Sequence, residues 1–168
     1  LVKEIQKTAE TKEDQARIAI SLVQNLEWGH SDKQIKFGGS EVGYSRKVYE
    51  VLYESQGVCG EKSDLLAFLL KELGYGVVLF YNQQENHESV GIECPIENSW
   101  HNSGYCFVET SGPAILSDSS LEYAGGIKIE SKPQYLLISS GKALPENLYE
   151  YDDAKIMNRI RNGGLKGL

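Results

Sequence analysis

The chain of 168 residues holds 17 Lys and Arg against 24 Asp and Glu, a formal net charge of −7, and is 40% hydrophobic and 24% charged. That composition excludes a disordered, collagen-like or coiled-coil protein, and at this length roughly 70% of the unfolded-chain surface can be buried without metal or disulfide staples. The acid excess argues against a nucleic-acid partner, which needs a basic face.

In chain order, the first signal is Thr11-Lys12-Glu13-Asp14, with Thr11 placed to cap a helix and an acid three residues on. Ala16, Ile18, Ala19, Leu22, Val23 and Leu26 then recur at helical spacing, predicting a helix over about 12–27. The polar, glycine-containing stretch 29–43 reads as a loop. Ser45 is placed to cap a second helix carrying Val48, Val51 and Leu52, which Gly57 ends. A third helix, from about Cys59 to Leu73, is apolar on most sides and therefore central; Gly74 is its expected stop. The period then changes to two. Residues 77–81, 89–94 and 105–109 read as strands, with weaker strands at 127–130 and 134–138. A final helix spans about 148–161, and 163–168 reads as a tail. Helices followed by strands predict an α+β fold, one domain over 1–168 with its core at about 12–140, the central helix packed on an antiparallel sheet.

No apolar run approaches the roughly 18 residues of a membrane span, and there is no signal peptide. The chain opens Leu1-Val2-Lys3 without Met, so the expectation is a piece of a longer protein; its location is left open, and an anchor in the remaining part would place it outside the cytoplasm. Cys59, Cys94 and Cys106 form no CxxC pairs, and His30, His87 and His101 no HExxH. Neither metal nor cofactor is expected.

Three residues carry chemistry when read together. Cys59, in Gly57-Val58-Cys59-Gly60, opens the buried helix, where unpaired N–H groups and the positive dipole end lower a thiol pKa and can hold an oxyanion. Alone, such a cysteine is more often plain core. His87 begins a strand and Glu109 ends another; singly, each is ordinary. Alternation puts His87, Ser89, Gly91 and Glu93 on one face of their strand, and Tyr105, Phe107 and Glu109 on one face of the next. With His87 roughly opposite Glu109, the acid would orient the imidazole and the imidazole would activate the thiol.

Gly57-Val58-Cys59-Gly60, the leucine-rich helix ending Leu73-Gly74-Tyr75, the His87 strand and Tyr105-Cys106-Phe107-Val108-Glu109-Thr110 resemble the core of transglutaminase-like cysteine enzymes. The likeness runs from about Ile18 to Thr110, including Asn25-Leu26-Glu27-Trp28. It implies a papain-like fold and thiol acyl transfer, with Cys59 as nucleophile, His87 as base, and Glu109 where the family has Asp. Ser63 fits the small residue many relatives place near the nucleophile. Gln56, Trp28 and Tyr53 are the oxyanion-donor candidates, Gln56 preferred and Trp28 next.

The reading is therefore a thiol enzyme acting on amide bonds of a protein or peptide, hydrolysis favoured because one small domain has no obvious means of excluding water. One rival is a catalytically inactive module that binds peptides or organises a larger protein. Another is a peptide:N-glycanase-like amidase, disfavoured because no cysteine pairs offer its accessory zinc site. Cys94 and Cys106 read first as two core cysteines: with His87 level with Glu109, residue 90 faces Cys106, and four residues of strand place Cys94 roughly 13 Å away, beyond bridging distance; a disulfide is the alternative, reached if the long segment 95–104 bends the strand ends. Trp100 and His101 read as a loop rim, and 149–153 as a solvated helix start rather than a calcium loop.

Overall fold

A computed structural model describes residues 1–120, 122–123 and 126–163. Residues 164–168 of the expected tail lie outside the described residues. The elements are α1 (Val2–Thr8), α2 (Lys12–Gln24), β1 (Glu27–Trp28), β2 (Gln34–Phe37), β3 (Ser40–Gly43), α3 (Val48–Glu54), β4 (Gln56–Gly57), α4 (Cys59–Glu72), β5 (Val77–Asn82), β6 (His87–Glu93), β7 (Tyr105–Val108), β8 (Glu122–Tyr123), β9 (Ile127–Lys128), β10 (Gln134–Ser139) and α5 (Tyr149–Arg161). Helices and antiparallel sheet in this arrangement are α+β.

The main sheet has the order β10-β5-β6-β7, every pairing antiparallel. Alternation divides its faces. Val77, Leu79, Val90, Ile92, Cys106 and Val108 join the main core with Leu65, Leu66, Leu69 and Leu70 of α4 and Ala19 and Val23 of α2. On the opposite face Val78, Phe80 and Phe107 form a second cluster under Trp100. Trp100, in the segment between β6 and β7, packs its ring edge-on against Phe80 and Phe107, centroids 5.0 and 4.9 Å apart.

Thr11 caps α2 by accepting from the Asp14 N–H at 3.1 Å. The helix ends at Gln24, short of the expected 27, because Glu27 and Trp28 pair in parallel with Gln56 and Gly57. The expected loop at 29–43 contains a hairpin, β2 with β3, whose residues are all exposed. Ile35 and Phe37 do alternate with Gln34 and Lys36 ahead of the Gly38-Gly39 turn, a short hairpin signal inside the polar stretch. The cap of α3 is Lys47 rather than Ser45, its N–H held by the Glu50 carboxylate at 2.8 Å. Helix α1 also went unread, having only Ile5 buried. At the end of α4, Gly74 takes φ +94°, and Tyr75 N–H returns to the Leu70 carbonyl at 3.0 Å.

Two expectations need correction. Cys94 and Cys106 form a disulfide, with Cα atoms 5.7 Å apart. The observed register sets Ile92, not residue 90, opposite Cys106, so Cys94 lies two residues from that pairing rather than four. A two-residue slip leaves every side chain on its expected face, so the face assignment stands although the pairing was displaced. Residues 149–153 are only partly solvated: Tyr151 is buried, and Glu150 accepts from Arg17 of α2 at 2.5 and 3.1 Å.

Candidate functional site

Cys59 is the first residue of α4 and His87 the first of β6, while Glu109 follows directly on β7. The strand ends and the helix start converge, so residues far apart in sequence become neighbours. His87 Nε2 lies 2.8 Å from Glu109 Oε2, leaving Nδ1 for the Cys59 thiol, to which the imidazole also hydrogen-bonds. His87 and Glu109 are almost fully buried; the free Cys59 is half-buried. The second Glu109 oxygen accepts from the N–H groups of Thr110 and Ser111 at 2.9 and 2.7 Å, so the carboxylate is satisfied on both oxygens.

The electrostatics are coherent. Burial alone would raise the Cys59 thiol, but the His87 hydrogen bond, the N–H groups of Glu88 and Gly60, and the imidazole charge hold it below its ordinary value. Burial opposes charge on His87 as well, yet Cys59 and Glu109 raise it to about 9. Burial would raise Glu109, and its bonds to His87 and Ser111 keep it low. These shifts favour a thiolate, an imidazolium and a carboxylate in a row.

A buried polar tie connects the three supporting elements. Ser63 Oγ donates to the Glu88 carbonyl at 3.2 Å and meets Thr110 Oγ1 at 2.9 Å; Thr110 Oγ1 donates to the Cys59 carbonyl at 3.3 Å. One small residue on α4 thus fastens the neighbours of all three candidates. Lys62, fully buried beside it, donates to the carbonyls of Gln24, Leu26 and Ser111 at 3.4, 2.8 and 3.3 Å. Burial lowers its pKa and the nearby Glu109 charge counters this. With Lys62 charged, the buried set of thiolate, imidazolium, carboxylate and ammonium sums to zero.

The oxyanion candidates have different surroundings. Gln56 Oε1 accepts from Arg46 Nη2 at 2.6 Å, and its Nε2 is packed so closely on Gly29 that a Cβ there would lie 2.4 Å away. Trp28 pairs with Gly57 and is 44% exposed, its indole edge-on to His30. Both adjoin the segment leading into Cys59. Tyr53 does not qualify, being 90% exposed on α3.

Arg46, Glu61 and Lys62 were missed as supports. Arg46 is buried, bonded to Glu54 at 2.7 Å, to Glu61 at 3.2 Å and to the carbonyls of Gly29 and His30. Glu61 in turn accepts the Val58 N–H at 3.1 Å, just ahead of Cys59. The available signal was Glu61-Lys62-Ser63, a polar run at the start of a helix apolar enough to be central.

Among the described residues, no group of three or more His, Cys, Asp or Glu could hold a metal ion, and no helix is long and apolar enough to cross a membrane. No family profile and no curated protein matches the chain. Among solved structures, calcium-bound LapG of Legionella pneumophila is similar, at 13% identity and a TM-score of 0.39, over 93% of this chain and 98% of that one.

Proposed function

We propose that the chain is a transglutaminase-like, papain-related thiol enzyme that hydrolyses or transfers acyl groups at amide bonds of a protein or peptide. The observation carrying this reading is the hydrogen-bonded row Cys59–His87–Glu109 with its opposed pKa shifts. The Cys59 thiolate attacks the amide carbonyl, forming a C–S bond and a tetrahedral oxyanion at the α4 N-terminus. His87 gives its proton to the departing amine as the C–N bond breaks, leaving a thioester. Water, giving a proton back to His87, or an amine then attacks, and the C–S bond breaks to restore the thiolate. Glu109 holds the ring and supports its charge throughout.

The test is iodoacetamide labelling across pH with the alkylated residue mapped by mass spectrometry, in the native protein and in His87→Ala. Selective labelling of Cys59 below pH 7, displaced upward in the variant, is expected. Labelling that follows an ordinary thiol, near pH 8.5, would reject the enzyme in favour of a module that only binds peptides.

A further inference from the structure

A groove of about 250 Å3 lies on the sheet, lined by Leu79 and Tyr81 of β5, Glu88 of β6, and Gln134, Tyr135 and Leu136 of β10. Pairing sets Tyr81 opposite Glu88 and Gln134, and Leu79 opposite Leu136. Alternation therefore turns Tyr81, Glu88 and Leu136 to the face on which Val90 and Ile92 meet α4. Leu136 is 60% exposed there.

Glu88 forms the end of this groove nearest the nucleophile. Its Oε1 lies 3.7 Å from the position of a Cβ on Gly60, and its own N–H donates to the Cys59 sulfur. The carboxylate is half-buried and has no hydrogen bond or ion pair among the described residues. Burial and the charge of Asp64 push it up to about 7, against the pull of His87. An ionised carboxylate in such a place is short of positive charge, while the rest of the groove offers mostly apolar surface. An anionic or short polar occupant fits neither condition.

We propose that this groove is a substrate subsite for a lysine or arginine near the scissile amide, its methylene stem on Tyr81 and Leu136 and its cationic head at Glu88. The proposal rests on Cys59 as the nucleophile, and it deepens that reading by naming the side chain that positions the substrate.

The test uses hexapeptides of alanine in which one lysine is moved through the positions, each matched by a norleucine twin, titrated calorimetrically into Cys59→Ala protein. At one or more positions the lysine peptide should bind at least about tenfold more tightly, and adding Glu88→Gln should abolish that preference. In the native protein the same lysine peptide should slow iodoacetamide labelling of Cys59. Equal binding of the twins at every position, no binding by any peptide, or a preference that survives Glu88→Gln would overturn the proposal. Binding to Cys59→Ala needs no thiol chemistry, so failure of the nucleophile reading shows separately, as ordinary labelling of Cys59 alongside an intact lysine preference.

Discussion

Glu109 is the residue on which the candidate site turns. Register carries it level with Ser89, two residues past the base, and the long carboxylate arm spans that offset to reach His87 at 2.8 Å. An aspartate is one methylene shorter, so Glu109→Asp should lose the bond and shift the onset of Cys59 alkylation to higher pH. Glu109→Gln keeps the reach but not the charge, and turnover should fall by roughly a hundredfold or more. Activity equal to native in both variants would remove Glu109 from the row. In the native protein, turnover should rise as pH passes the lowered thiol pKa and fall as it passes the His87 value of about 9, whereas alkylation needs only the thiolate and should not fall. Lys62→Met strands three buried carbonyls, so thermal or denaturant unfolding should report a loss of about 2–4 kcal/mol. Cys59, His87 and Glu109 were legible in the sequence because chain order and strand parity survive without coordinates. Lys62 and Arg46 were not, because their partners are mostly backbone carbonyls and carboxylates brought close only by folding.

At the scale of elements, strands β5, β6 and β7 carry core residues and announce themselves, while the largely exposed β10 gave only the weaker signal at 134–138. The exposed β2–β3 hairpin offers two alternating residues, Ile35 and Phe37, before Gly38-Gly39, too short a pattern to stand out from a loop. Register was the harder quantity, since a shift of two preserves the pattern of buried and exposed positions. That shift is what lets Cys94 reach Cys106. The bridge closes a loop with a sequence separation of 12, and chain-entropy arguments value such a closure at about 3 kcal/mol. Replacing both cysteines with serine should lower the unfolding free energy by about that amount. Thiol titration of the unfolded, unreduced chain should find one reactive cysteine, against three after reduction; three without reduction would contradict the bridge. Gly91 is constrained differently: a Cβ there would sit 2.5 Å from Val78 and 2.7 Å from Phe80. Gly91→Ala should therefore destabilise by about 1–3 kcal/mol in the same unfolding assay.

Across the whole molecule, titrating groups set a preferred pH. Glu109 and Glu150 have folded pKa values lowered from the ordinary 4.5, so their contribution is present above that value and is lost as pH falls through the folded values. Glu88 has the opposite sign: raised to about 7, it favours folding fully below the ordinary 4.5, and that contribution is lost as pH rises from there through about 7. The Cys59 thiol is lowered and the His87 imidazole raised to about 9, so their effects on the pH dependence of stability oppose each other. The melting temperature should therefore be highest near about pH 5, dropping on the acid side and declining more gently toward 7; a flat profile down to pH 3 would refute this balance. Sequence alone determined the α+β class, the central apolar helix and the chain order of the candidate residues Cys59, His87 and Glu109, because hydrophobic period and chain order are local properties. Only the tertiary structure decided the strand register, the disulfide, the buried Lys62 and Arg46 supports and the half-buried setting of Glu88. Each of these depends on which distant segments end up a few ångströms apart, and neither period nor chain order records that distance.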